Sequence, residues 1–347
     1  MPPAQLRNSA LMARFSLGLG VALSFALMSL QGCGCGFDCN SGNNNNGPAI
    51  LDLGFSDEAL EELKQVVIEV DRITLTRSGN EDVFVESFTI PELDATDADT
   101  FQVDLLQYRG LNQLIVIADL ELDARTYSGI EVELVTGDIN NSFVKESDDS
   151  LKQLNVSGSA LALPGISLST GNEAYTIAFS LAQALRYRSA SDDYLLTTEG
   201  IRVQDNAVAA SITGRVDSAL FDTVSPCDAK TDPESGNRIY LYAGTSIGEG
   251  LLGDVHTSGS SNTIPEGTQA PFAVATLAED SLTGSWQYAL GFIPAGDYTL
   301  AFSCDAADDD PVDYDGITIP LPEDQVYETS LDEGESGVCD LAENGSC

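Results

Sequence analysis

The chain has 347 residues, with 55 acidic against 15 basic side chains and a formal charge of −40. Such an excess repels nucleic acid and leaves no route to phosphate binding by counterion release, and because the acids are spread along the chain they describe a solvating surface. Hydrophobic residues make up 43% and occur in strand-length runs, which excludes a disordered chain.

In chain order, the first element is an export signal. Residues 1–32 hold Arg7 and Arg14, no acid, and the apolar run "FSLGLGVALSFALMSL". At 15–30 that run is short for a bilayer span of about 20 residues, and it suits a cleaved signal peptide. Leu30-Gln31-Gly32-Cys33 resembles the lipobox of bacterial lipoproteins, in which the cysteine becomes the acylated N-terminus. The resemblance implies lipidation at Cys33. Cys35, with Gly32 three residues before it, is the poorer site, and a cleaved, unlipidated periplasmic protein is the alternative. Gly34, in place of Asp, implies passage to the outer membrane of a Gram-negative envelope. Residues 33–49 then read as the lipidated cysteine and a tether. The run "NSGNNNNGP" has nothing apolar to bury and would span roughly 15–20 Å.

From residue 50 the pattern becomes strand-like. "SDEALEELKQ" (56–65) opens with a capping serine and early acids and predicts one short helix. Val66, Ile68 and Val70 alternate, then Ile73 and Leu75 continue on the other parity, which predicts a bulge near Asp71–Arg72. "TRSGNED" supplies a turn and "VFVESFTI" a returning strand, a hairpin. Further strands are predicted at 113–122, 128–136, 174–181 and 200–205. Short strands parted by Gly, Asn and Asp predict an antiparallel sandwich.

"VVIEVDRITLTRSGNEDVFVESF", "VDLLQYRGLNQLIVIADLELDARTYSGIEVELV", "LPGISLSTGNEAYTIAFSLAQAL" and "DDYLLTTEGIRVQD" resemble the successive motifs of a bacterial lipoprotein domain of unknown function, over residues 50–212. Asp104, Leu105 and Leu106 match that family's Asp-Leu-Leu, and Tyr127 and Ile130 its Tyr-x-x-Ile. Pro164-Gly165 departs from its usual Pro-Ser-Gly. The family supplies no catalytic residue. A second unit is predicted over 213–330, followed by a cysteine-containing tail at 331–347. "SWQYALGFIPAGDYTLAFSC" (285–304) is similar to prealbumin-like or carboxypeptidase-regulatory modules, sharing their turn at Pro294, Ala295, Gly296, Asp297 and Tyr298. Modules of that kind imply a scaffold or binding appendage. The expected fold class is therefore all-β: two tandem antiparallel β-sandwiches, Ig-like or prealbumin-like, after a signal peptide and tether.

With Cys33 lipidated, six cysteines remain and allow 15 pairings. Proximity in sequence favours Cys35–Cys39, Cys227–Cys304 and Cys339–Cys347, with free thiols at one or more pairs as the alternative. A lone histidine and no second close cysteine pair argue against a zinc site. His256, in "GDVHTSGSSNT", reads as a solvated loop residue, and Trp286 as a core or half-buried strand residue. No nucleophile elbow, nucleotide loop or metalloprotease motif appears. The loop "DAADDDPVDYDG" gathers acids, and Asp308, Asp310, Asp313 and Asp315 are the candidate oxygen ligands for calcium; Pro311 and Pro322 break the EF-hand pattern there, and a solvated acidic loop is the alternative. No other cofactor is expected.

These readings predict a lipid-anchored envelope protein with a non-catalytic binding or structural role. Its partners would be the membrane, through the N-terminal lipid, and an envelope protein or glycan. The alternative is a surface hydrolase or carbohydrate-active enzyme working through acidic residues.

Overall fold

The computed structural model describes residues 47–58, 63–342, 345 and 347. The signal segment, Cys33, Cys35, Cys39 and the asparagine run therefore lie outside the described residues. Among the described residues nearly all regular structure is strand. In the first half, one sheet has the order Arg202–Asp205, Gly171–Ser180, Ala49–Glu58, Leu114–Leu122. It faces a larger sheet running Leu161–Pro164, Gly129–Leu134, Leu63–Thr76, Phe143–Glu146, Leu151–Val156, Asp193–Leu196, Leu185–Arg188. The long strand Leu63–Thr76 organises that sheet. Val66, Ile68 and Val70, then Ile73 and Leu75, are all fully buried, and the pairing with Gly129–Leu134 slips between Val70 and Arg72, where the parity changes. An extra residue there turns both apolar sets to the core. Phe55 packs edge-on to Phe179 at 5.5 Å and Phe88 edge-on to Phe101 at 4.8 Å, each ring contributing about 1.5–3 kcal/mol by burial.

Three local expectations change. Ser56–Glu58 are strand rather than helix, because they complete a ten-residue pairing with Gly171–Ser180, and Leu63–Gln65 already belong to the next strand. Tertiary pairing here outweighs the capping signal. That central pairing is parallel, as are Leu151–Val156 with Asp193–Leu196 and Ala210–Val216 with Ser336–Val338, within otherwise antiparallel sheets. The returning strand of the hairpin divides: Val83–Val85 pairs with Leu63–Thr76, whereas Phe88–Ile90 pairs with Ala95–Ala98.

The motif residues have local reasons. Asp104 caps the turn Leu105–Gln107 by accepting from the Leu106 amide (3.3 Å), and also accepts from the Val66 amide of the neighbouring strand (3.1 Å). Leu105 and Leu106 are thereby turned into the core. Tyr127 is buried, and its hydroxyl donates to the Asp123 carbonyl (3.3 Å). Tyr298 does the same to Pro294, four residues upstream (2.7 Å); both resemble the tyrosine corners of sandwich folds. Gly165 lies so close that a Cβ there would sit 1.9 Å from the Tyr127 carbonyl oxygen, which leaves no room for a side chain.

The second half is a two-sheet sandwich. Its outer sheet runs Ala278–Asp280, Ser285–Ile293, Ala210–Val216, Ser336–Val338, and its inner sheet Ala273–Thr276, Arg238–Ala243, Gly296–Ser303, Val326–Leu331. The Pro294–Tyr298 turn carries the chain from the outer sheet to the inner one. The described residues from Leu331 onward do not form a separate tail: Ser336–Val338 pairs into the outer sheet, and Cys339 and Leu341 are buried. Disulfides join Cys227 to Cys304 and Cys339 to Cys347. The first closes a loop of 77 residues, worth up to about 4 kcal/mol by restricting the unfolded chain. Trp286 is half-buried and meets Phe221 edge-on at 5.4 Å.

Candidate binding cleft between the two sandwiches

The inner sheet of the second sandwich is covered on both faces. Ile239, Leu241, Leu300 and Phe302 point into its own core. Tyr240, Tyr242, Val274 and Ala301 turn the other way and join the core of the first half, together with Leu252, Val255, Ala306 and Ile319. This is why "RIYLY", residues 238–242, is buried without alternation.

Two aspartates organise the covered face, although the Asp254 Oδ1 oxygen is buried without a hydrogen-bond partner. Asp309 accepts from Arg238 Nη1 (3.0 Å), the Tyr240 hydroxyl (2.6 Å) and the Val255 amide (3.2 Å). Asp254 returns the grip: its Oδ2 accepts from the amides of Asp315 (2.9 Å), Gly316 (2.6 Å) and Ile317 (3.1 Å). The loops carrying these two aspartates thus hold each other against the sheet. Burial raises the Asp309 carboxyl to about 6, against the pull of Arg238, and burial also raises Asp254. His256 is not solvated. Its side chain is 7% exposed, with Nδ1 2.9 Å from the Asp254 carbonyl oxygen and the ring edge-on to Tyr314.

The acidic loop divides at Asp309. Asp308, Asp310 and Asp315 are exposed and Asp313 half-exposed, and the oxygens of Asp310 and Asp315 serve the loop itself. Asp310 Oδ1 accepts from the Val312 and Asp313 amides (2.7 and 3.0 Å), and Asp315 Oδ2 from the Asp310 amide (2.8 Å). The Ser261 amide holds the Asp313 carboxyl below its ordinary range. Among the described residues no three acidic, histidine or cysteine side chains gather to hold a metal ion, so the four calcium candidates do not form one ligand set.

The two halves are joined where the strand Ala49–Glu58 ends. Glu58 is buried, pairs with Arg202, and accepts from the Val274 amide (3.2 Å) of the inner sheet. The Arg202 guanidinium lies over the Phe272 ring at 4.9 Å. Next to it, the Asp57 amide donates to the Tyr108 carbonyl (2.7 Å) and the Gly110 amide to the Asp57 carbonyl (2.9 Å), fixing the loop 108–112. Burial, then Glu58, pushes the Asp57 carboxyl well up. That loop reaches the outer sheet at Gly110. The residue has φ +64°, and a Cβ there would stand 2.9 Å from that of Ala289.

Between this loop and the outward face of the outer sheet lies a cleft of about 720 Å³. Arg109, Leu111 and Asn112 form one wall, and Thr213, Arg215, Gln287 and Ala289 the floor, with Val338 and Asp340 along the rim. Its size and its place between two domains are those of a ligand site. Sequence reasoning missed Asp309, Arg238, Glu58, Arg202 and the arginines of the cleft. The one available signal was a basic residue opening the apolar run at Arg238.

Residues 49–198 match DUF4382, a domain of unknown function. The DUF4382 region thus covers the first sandwich up to its last edge strand. Curated proteins yield no match. Among solved structures, similar chains include a leucine-rich repeat protein from Bacteroides thetaiotaomicron (9% identity, 88% of this chain and 26% of that one, TM-score 0.20). Others are a fimbrial protein from Bacteroides ovatus (8%, 88% and 50%, TM-score 0.17) and the shaft pilin of Lactobacillus rhamnosus GG (9%, 87% and 99%, TM-score 0.19). This chain spans about a quarter of the first and half of the second.

Proposed function

We propose that this is a lipid-anchored protein of the Gram-negative outer membrane that holds an envelope partner without catalysis, in the cleft between its two sandwiches. The observation that carries the binding role is the cleft itself: an open concavity walled by the DUF4382 half and floored by the second sandwich. Glu58 and Arg202 hold its walls in register, so a partner would meet a preformed site. The address rests on the lipobox at Leu30–Cys33. A hydrolase reading draws on Asp254 and Asp309, two carboxyls with raised pKa. Both side chains are fully buried and bonded to Arg238, Tyr240 and backbone amides, which suits a structural clasp better than an acid–base pair awaiting substrate.

The test is mass spectrometry of the mature N-terminus with and without Cys33→Ala, joined to crosslinking in intact envelopes. An acylated Cys33 and a crosslinked partner are expected. A mature chain starting elsewhere without acyl mass removes the anchor, and turnover of a glycan or ester substrate removes the non-catalytic role.

A further inference from the structure

The cleft gathers two arginines in a chain that is short of basic side chains. With 55 acids against 15 bases, the surface as a whole repels anions. Yet Arg109 lines the wall and Arg215 the floor of this one cleft, against the single carboxylate of Asp340, and the two arginines come from opposite halves of the chain. Arg215 is exposed on the outward side of the strand Ala210–Val216, with its amide anchored to Asp340 Oδ1 (2.8 Å). Around the arginines the lining mixes polar side chains, Asn112, Thr213, Gln287 and Asp340, with small or apolar ones, Ala278, Ala289, Leu111 and Val338, the last two 51% and 65% exposed. Solvent-facing leucine and valine beside a preformed concavity mark a contact surface. The sole aromatic lining residue is Tyr288. It is buried in the sandwich core with its hydroxyl donating to the Cys339 carbonyl (2.9 Å), so no ring face is offered to a sugar.

Resting on the binding role proposed above, we infer that the ligand of this cleft is an extended acidic peptide segment. Arg215, with Arg109, takes its carboxylates, and its apolar side chains lie on Leu111, Ala289 and Val338. Guanidinium groups suit this task because their planar fork meets a carboxylate with two parallel hydrogen bonds. Alternate side chains of an extended segment point to opposite sides, so one that alternates acidic and small apolar residues presents charge and methyl groups to different parts of the cleft.

The experiment titrates the detergent-extracted, full-length protein with three labelled probes at low and high salt: a short peptide alternating Glu and Val, its counterpart alternating Lys and Val, and an oligogalacturonate. The Glu–Val peptide is expected to bind, more weakly as salt screens the contact. Arg215→Glu should weaken it by about tenfold or more, and Arg215→Lys should restore much of the loss. Arg215 is exposed, so a thermal melt confirms that both variants stay folded. Equal binding of the Lys–Val peptide, or an Arg215→Glu variant that binds like the parent, overturns the inference. Binding of the oligogalacturonate with no binding of the Glu–Val peptide overturns it in favour of an anionic glycan. Envelope crosslinking that survives Arg215→Glu rejects the ligand class while leaving the binding role standing; loss of every crosslink in the parent protein rejects the role.

Discussion

In the inner sheet of the second sandwich, Arg238, Tyr240 and Tyr242 occupy a face that the first sandwich and two loops cover. In the outer sheet, Thr213, Arg215 and Gln287 occupy the corresponding outward face and line an open cleft. The two sheets share one core and differ in what lies beyond it. On the covered face a charge persists only with partners, because removing it from water costs several kcal/mol. Arg238 is therefore held by Asp309, and Asp309 by a tyrosine and an amide. On the open face Arg215 keeps its hydration, and its charge is available to a ligand at little cost to the fold. The same residue type is structural in one sheet and recognitional in the other.

Four changes sharpen this contrast. The largest effect belongs to Asp309→Ala, which takes a buried carboxylate away from Arg238 and frees the Val255 amide. We expect a loss of about 3–5 kcal/mol in chemical denaturation, and a loss below about 1 kcal/mol would show that the clasp is ornamental. Glu58→Gln acts at the seam, weakening the bond to Arg202 and the Val274 amide. It should cost about 1.5–3 kcal/mol, with hydrogen exchange rising first at Val274 and the neighbouring inner-sheet amides; exchange rising evenly over the whole chain would argue against a local seam.

The third change is pH. The folded Asp309 carboxyl titrates at about 6 against an ordinary 3.8, so the folded state binds this proton more tightly than the unfolded chain. Stability from this group is present at low pH and lost as pH rises through its folded value. Between about pH 7 and pH 5 it should therefore grow by about 1 kcal/mol. The raised carboxyls of Asp57 and Asp254 act in the same direction. A melting temperature that falls over that interval, or one whose rise is unchanged in Asp309→Asn, would contradict the assignment. The smallest effect belongs to Arg215→Ala on the open face. Stability should stay within about 0.5 kcal/mol of the parent, while binding of an acidic peptide is lost. A large destabilisation there would place Arg215 with the structural arginines.

The strand content, the bulge and the turns were legible because they are local. The parity change between Val70 and Ile73 is written in consecutive residues, and the pleat has a period of two, so no distant partner is needed to infer the extra residue. Pairing of Cys227 with Cys304 was legible from spacing along the chain. The apparent helix at 56–65 was not, since Ser56–Glu58 are decided by a strand more than a hundred residues away. Within "DAADDDPVDYDG", composition alone marks the aspartates as equivalent. Only packing separates Asp309, turned under the loop onto Arg238 and Tyr240, from Asp308 and Asp310 on either side, which face water. The cleft belongs to the same class of fact. Its arginines stand at positions 109 and 215, and no local pattern links them. What brings them to one concavity is the seam at Glu58 and Gly110, where desolvation and close packing reward one arrangement of the two sandwiches.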